Sequence, residues 1–368
     1  MSLILYSCAQ QPQTVIPSDI EPDYSHSDYI DHWRIVQPKT LETSENDEKN
    51  NETGNLWDRI REKLTLTDID HPRIEKYLTQ LSNDTLYIDM LSERSQPFLY
   101  YLVEATDRRD LPVELIMVPM IESAFRADAV SPGSAAGLWQ IMPATARSLG
   151  LKRTKGYDGR HDVLASTRAA LDYLTYLNDM FDGDWLLTLA AYNSGEGTVL
   201  NAMRKNRAAG RSTDYWSLNL PPITRQYVPK ILALSRLIAE PDTYGIELEK
   251  IPDEPYLQTV EISPKIDLSI AAASAGISKD EIYRFNPAYD LDNKPRGLDS
   301  YKLLLPRDSA RALRSTVSRL GDTRIIRRPT QRKRTPFFTT NETPPPIASS
   351  SEPDQKSING FNILSRKE

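Results

Sequence analysis

Cysteine is nearly absent from this chain. Cys8 is the one cysteine among 368 residues, so no disulfide can close within it; a cytosolic protein and a lipid-anchored one both tolerate that. Histidine is almost as scarce, with His26, His32, His71 and His161 the only four. None forms His-Glu-x-x-His and the cysteine is remote from them, which leaves no zinc site of ordinary spacing. No metal and no other cofactor is called for. Gly195-Glu-Gly197 lacks the third glycine and the preceding strand of a dinucleotide loop, and neither a nucleophile elbow nor a phosphate loop is present. A basic excess is missing too. With 45 Lys and Arg against 51 Asp and Glu the formal charge is -6, the wrong sign for a general binder of nucleic acid. An anionic polymer would have to be held by local groups. Finally, no stretch approaches the roughly 20 apolar residues of a membrane-spanning helix.

What is present suffices for about two compact domains with polar ends, at roughly 150 residues per domain, since 39% of the residues are hydrophobic. Residues 9–54 are polar and dense in acids between Glu42 and Glu52; such a composition buries too little apolar surface to order itself and reads as a tether. Helical spacing of apolar residues begins at Leu56 and Trp57, giving a helical extension over 55–109. Residues 110–245 form the densest helical region. There Asp110 is expected to cap a helix through Pro112 and Glu114, and Pro119 to bend it or mark a local irregularity. A short helix from Pro143 closes at Gly150, a longer one runs from Leu164 to Phe181, Asp184 caps the next, and another spans Tyr227 to Ile238. No strong period-two strand precedes residue 255. Residues 251–307 then read as a small α/β module, with strands at Tyr256–Ile262 and Tyr301–Pro306 around two short helices. Residues 321–368, rich in Pro, Ser and Thr, read as a disordered tail. The fold class is mainly α, followed by a small α/β module.

The start of the chain, residues 1–8, resembles a bacterial lipobox, with Leu5 three before Cys8, the residue that would be acylated. Only seven residues precede Cys8 and none is Lys or Arg, short of the charged start and 7–15 apolar residues (about that range) of a secretory signal. A start further upstream and a chance match are the two explanations.

One carboxylate stands in an unusual place. Leu115-Ile-Met-Val-Pro-Met-Ile121 is nearly all apolar, and Glu122 ends it, followed by Ser123-Ala-Phe125. A carboxyl against an apolar wall resists ionisation, which is the condition for a general acid that keeps its proton near neutral pH. The plainer alternative is a helix-end Glu paired with Arg126.

Its neighbours in sequence decide between these. Gly133-Ser-Ala-Ala-Gly137-Leu-Trp139-Gln140-Ile-Met142-Pro143-Ala-Thr145 follows, then Ala190-Ala-Tyr192-Asn193-Ser-Gly195-Glu-Gly197, then Thr224-Arg-Gln-Tyr227-Val-Pro-Lys230. In order, content and spacing these motifs resemble the soluble lytic transglycosylase domain, a goose-lysozyme-like family, and a looser likeness runs from Trp57 to Pro306. The resemblance implies a lysozyme-like helical fold over 110–245 with a groove for peptidoglycan glycan strands. It implies that Glu122 is the catalytic acid and then base, that Ser123 orients the site, and that Gln140 and Met142 line the groove. Tyr192 and Asn193 would lie close to Glu122 and the sugar N-acetyl group, with Tyr227 on the opposite wall. It also implies a periplasmic protein, anchored to the outer membrane through Cys8. Protein partners are not indicated. Trp139 reads equally as core or groove. Gly137, Gly195 and Gly197 read as turn requirements, and Glu196 as a first-turn acid.

Most glycosidases use two carboxylates, and no second partner for Glu122 is evident; Asp128, the nearest downstream, falls in an expected loop. Substrate-assisted enzymes are the exception. A MurNAc residue carries an acetamido oxygen able to stabilise the cation at C1 and a 6-hydroxyl able to attack it. A lytic transglycosylase with a single Glu is therefore the leading expectation. A water-using hydrolase of the same scaffold and a non-catalytic wall-binding lipoprotein are the alternatives. The stretch from Asp267 through Asn286-Pro287 to Leu303-Leu-Leu-Pro306 resembles a LysM repeat, a class that binds GlcNAc-containing glycans. Its usual Gly-Asp-Thr turn is absent from Ser263-Pro-Lys265 and occurs instead at Gly321-Asp-Thr323. Glycan binding and simple packing both remain open for this module. The basic stretch from Arg324 to Arg334 reads as a solvated tail or a wall-polymer contact.

Overall fold

The computed structural model describes residues 54–319, apart from 265, 291–294 and 296. Cys8, nearly all of the 9–54 stretch, Gly321-Asp-Thr323 and the tail with its basic segment lie outside the described residues.

The extension comprises α1 (Leu56–Glu62), α2 (Pro72–Ser82) and α3 (Thr85–Asp107), each with a side-chain cap: Asn55, His71 and Asp84 accept backbone N–H bonds from Trp57, Arg73 and Tyr87. Pro72 opens α2, where its fixed φ suits a first turn. These helices are built into the main core. Trp57 is 2% exposed. Its indole nitrogen donates to the Glu249 carbonyl at 3.0 Å, and the Leu56 amide donates to the Ile251 carbonyl at 2.7 Å. Arg59 joins Glu104 (2.5 Å), Asp107 (2.6 Å) and Asp253 (3.1 Å). The segment leaving the main domain is thus tied back to the first helix.

The central domain holds α4 (Met117–Ser123), α5 (Pro143–Ser148), α6 (Val163–Met180), α7 (Trp185–Ser194), α8 (Glu196–Ala208) and α9 (Pro222–Ala239). Helix α7 is the hub, packed against α6, α8 and α9. Its Leu189, Ala190 and Ala191 are fully enclosed, and the small alanines let neighbouring helices approach closely. Asp184 caps α7 as expected, accepting from Leu186 and Leu187.

One local expectation gives way, and a second is met in its weaker form. Asp110 is not a cap: the chain turns there with φ +53 and enters a 3-10 turn, Val113–Ile116, that has no side-chain cap. Glu114 instead points back and accepts the Thr65 and Leu66 amides at 2.5 and 2.6 Å, holding the loop after α1. Pro119 causes no bend within α4, because it lies in the first turn, where no amide is needed; the irregularity is the 3-10 to α junction before it. A two-residue hairpin, β1 (Arg153–Thr154) with β2 (Tyr157–Asp158), also went unanticipated, being too short to show a period.

In the C-terminal module β3 (Leu257–Ile262) pairs antiparallel with β4 (Tyr301–Pro306), around α10 (Leu268–Ala275) and α11 (Lys279–Phe285). Asn286, 4% exposed, donates to the Ile282 and Leu304 carbonyls and accepts the Leu304 amide at 2.7 Å. It latches α11 to β4, which accounts for its place in the motif. A further helix beyond residue 307, α12 (Arg307–Arg319), supplies Ala310, Leu313 and Val317 to the same core. The β1–β2 hairpin docks here: Tyr157 is part of the module's core, and the Asp158 and Asp290 amides donate to the Ala288 and Gly156 carbonyls at 2.9 and 3.0 Å.

Trp57→Ala should cost about 3–5 kcal/mol through the cavity and the lost indole bond, lowering the thermal midpoint of the helical domain; an unchanged melting curve would show that the extension is not part of that core.

Candidate active site

The site is built on the end of α4. Every residue from Met117 to Ser123 is buried, so the helix is held from all sides and its last turn has a single orientation. It then stops abruptly: Ala124 and Phe125 take left-handed conformations, φ +49 and +57, each costing on the order of 1–3 kcal/mol for a residue with a side chain. The Phe125 and Ala124 amides return to the Pro119 and Met120 carbonyls, closing the helix end. Glu122, 8% exposed, is left facing an open cleft. The plainer alternative, a Glu122–Arg126 pair, is not what forms; Arg126 binds Asp128 at 3.1 and 3.2 Å.

The facing wall is the segment 135–142. Ala136 forms bridges with Val130 and Ile141, and Gly137 reverses the chain at φ +79, so close to its neighbour that an added Cβ would lie 1.8 Å from the Arg160 carbonyl oxygen. Arg160 itself is 6% exposed. Its guanidinium binds Asp158, the Ser134 carbonyl (2.6 Å) and the Ile141 carbonyl (3.4 Å), clamping both ends of the turn. Gln140 adopts φ +46, and its side-chain amide donates to the Gly137 and Ala129 carbonyls. Trp139 resolves as core: it is 1% exposed and its indole donates to Thr167 at 2.9 Å.

Helices α6, α7 and α9 close the other sides. The Tyr192 hydroxyl donates to the Trp139 carbonyl at 2.8 Å, joining α7 to the facing wall. Asn193 accepts a hydrogen bond from Thr224 at 2.9 Å, joining α7 to α9. Burial first, then the negative field of Glu122, pushes the phenols of Tyr192 and Tyr227 well above their ordinary value. Both rings therefore stay neutral and lie against the carboxyl. The Tyr227 hydroxyl is sealed from solvent and reaches toward Glu122, without the alignment of a full hydrogen bond. Such contacts commonly tighten only when substrate is bound.

Of the expected site residues, the fold brings Glu122, Gln140, Met142, Tyr192 and Asn193 to the cleft wall. Ser123 and Tyr227 stand behind it. The Ser123 hydroxyl is shared between the Pro119 and Leu138 carbonyls at 3.2 and 2.9 Å, fastening the helix end to the facing wall rather than lining it. Tyr227 is not among the lining residues, and its phenol interacts with Glu122. Tyr173, Thr145 and Arg160 were not singled out by the motifs. Tyr173 lines the cleft and donates to Glu196 at 3.0 Å; within the stripe of Leu171, Leu174 and Leu177 it reads only as another core position. Arg160 has no sequence signal beyond following Gly159, which shows why it was missed.

A mainly helical domain joined to a small module with a two-stranded sheet is also what the family matches describe. Residues 100–215 match the transglycosylase SLT domain, and residues 256–321 match the LysM-like domain of lytic transglycosylase MltD. The chain thus carries a lysozyme-like SLT domain followed by a LysM-like module. It is similar to membrane-bound lytic murein transglycosylase D of Escherichia coli (strain K12), 43% identical over 233 residues, which are 63% of this chain and 52% of that protein. It is also similar to membrane-bound lytic murein transglycosylase C of Histophilus somni (strain 2336), 30% identical over 36% of this chain and 41% of that protein. The chain spans about half the length of the first of these relatives. Over 40% of its length, and 24% of the other chain, it superposes on lytic transglycosylase Slt of Pseudomonas aeruginosa at 27% identity and a TM-score of 0.32.

Gly137→Ala combines a positive φ with a backbone clash and should cost on the order of 3 kcal/mol or more. Gly183→Ala, where nothing lies within 4 Å of the added Cβ, is the comparison; equal melting temperatures for the two would show that the facing wall tolerates a shift.

Proposed function

We propose that the chain is a lytic transglycosylase that cleaves the β-1,4 bond between MurNAc and GlcNAc of peptidoglycan without water, leaving 1,6-anhydro-MurNAc ends. The observation that carries this reading is that Glu122 is the one carboxylate among the residues lining the cleft. The acids nearby are otherwise engaged: Glu196 by Tyr173 and Asp128 by Arg126. A pair of carboxylates set across the bond, as most glycosidases use, is not found among the described residues of the cleft. That its relatives are lytic murein transglycosylases supports the same substrate.

In the mechanism, protonated Glu122 gives its proton to the glycosidic oxygen as the C1–O bond breaks. The acetamido oxygen of the same MurNAc stabilises the cation at C1. The Glu122 carboxylate then takes the proton of the 6-hydroxyl as O6 bonds to C1, and the acid is regenerated. Asn193, held by Thr224, is placed to position the acetamido group. Tyr227 steadies the Glu122 carboxyl in whichever form it carries, and Ser123 acts one step further back by holding the helix end.

Sacculi digested with the full chain should yield muropeptides ending in anhydro-MurNAc by mass spectrometry, lost in Glu122→Gln and slowed roughly 10–100-fold in Tyr227→Phe. Reducing ends, one water heavier, would make it a hydrolase. Near wild-type cleavage by Glu122→Gln would remove the acid from the mechanism altogether.

We also infer membrane attachment in the periplasm, by an acyl group on Cys8, since relatives are described as membrane-bound and no helix of the described residues is long and apolar enough to cross a membrane. Labelling cells with an alkyne fatty acid should tag the chain and not Cys8→Ser; equal labelling of both would refute the anchor.

A further inference from the structure

On α9, next to residues that reach the cleft, and on α2 lies a group of cations that form no ion pair among the described residues. Arg225 and Lys230 sit on α9, one residue after Thr224 and one turn after Tyr227, both of which reach toward the cleft residues. Arg73 sits at the start of α2, which packs along α9. The acids closest to Arg73 in sequence, Asp70 and Glu75, are both taken by Arg236, at 3.4 and 2.7 Å. No ion pair among the described residues includes Arg73, Arg225 or Lys230. One guanidinium nitrogen of each arginine is buried with no hydrogen-bond partner.

The cations surround aromatic rings. The Lys230 ammonium lies 5.5 Å from the centre of the Tyr77 ring, and Arg73 and Arg225 both act on the Tyr215 phenol. His71 stacks on Trp216 at 3.8 Å with planes 8° apart, and Trp216 meets Tyr215 edge-on at 4.9 Å. His71, Trp216, Arg73, Arg225 and Lys230 are all half-buried, so the ledge is open to a ligand. Buried charge is normally paired, and none of these three cations has an ion-pair partner among the described residues. Burial already holds the Lys230 ammonium below its ordinary pKa.

We propose that this ledge is a carboxylate-recognition subsite, in which Arg73, Arg225 and Lys230 hold acidic groups carried by the substrate strand away from the scissile bond. Arginine forks suit carboxylates, and the His71–Trp216 stack offers an apolar face beside them. The proposal rests on the peptidoglycan reading above, which supplies two sources of carboxylate: the peptide attached to muramic acid and, where that peptide is removed, the lactyl group itself.

The test is calorimetric titration of full-length chain carrying Glu122→Gln, so that the ligand is not consumed. The probes are a muramyl disaccharide bearing its peptide, the same disaccharide without peptide, and neutral chitotetraose. Added Arg225→Gln or Lys230→Gln should weaken the peptide-bearing probe about tenfold and leave chitotetraose unchanged, while Lys230→Arg restores binding. The loss confined to the peptide-bearing probe assigns the peptide carboxylates; the same loss with the peptide-free disaccharide assigns the lactyl group; either upholds the subsite. Equal weakening of chitotetraose, or no weakening of any probe, overturns it. Should the wild-type chain cut murein while the variants bind normally, the ledge alone fails. Should it cut no murein and bind no probe, the glycan reading fails and the ledge with it.

Discussion

A carboxyl group belongs in water, and the whole central domain is arranged around one that is kept out of it. Glu122 sits on the last turn of a helix whose other faces are all enclosed. The helix cannot rotate to release the acid, and it cannot continue, because the next two residues turn left-handed. Burying an acid is costly unless its surroundings are polar where it matters. Here the polar surroundings are two neutral phenols, Tyr192 and Tyr227, whose own burial keeps them from ionising beside it. Displacing α4 would disturb the acid, both phenols and the facing wall together.

The facing wall depends on the same packing from the other side. Its residues 135–142 have little secondary structure, yet the wall is rigid because its polar groups are used internally. Arg160 holds the Ile141 carbonyl and that of Ser134 just before the wall, Gln140 holds that of Gly137, and Ser123 and Tyr192 hold the carbonyls of Leu138 and Trp139 from α4 and α7. A loop secured by side chains on two helices and by Arg160 from a neighbouring turn behaves as part of the scaffold. That suits a site whose geometry must persist between binding events. The same logic extends outward through the hairpin of residues 153–158, which binds Arg160 through Asp158 and docks on the LysM-like module.

The chain as a whole is acidic, while the ledge beside the cleft gathers unpaired cations. Net charge governs solubility and non-specific encounters; recognition is decided by the local field. Arg236 shows how finely this is apportioned, since by taking both Asp70 and Glu75 it leaves Arg73 without an acid. The proposed subsite and the proposed chemistry thus draw on the same helix, α9, through residues on adjoining sides of its first turns.

Much of this was legible in the residues themselves. Apolar periodicity and caps located most helices, the apolar run ending in Glu122 marked a buried carboxyl at a helix end, and the spacing of the Gly-Leu-Trp-Gln and Ala-Tyr-Asn motifs identified the domain. The strand, helix, helix, strand order of the module was also readable. Tertiary structure alone decided the rest. It turned Glu114 from an expected helix-start acid into an anchor for a distant loop, settled Trp139 as core, and put Ser123 and Tyr227 behind the cleft. It showed Tyr173 on the cleft wall, Arg160 within the loop, and the ledge formed by residues some 150 apart in the chain (about the separation of Arg73 and Arg225). The division has a physical cause. Helix propensity, capping and periodicity act within a few residues, so they are written locally. The partner of a buried polar group, or its lack of one, is fixed by which helices meet, and that is a property of the folded core.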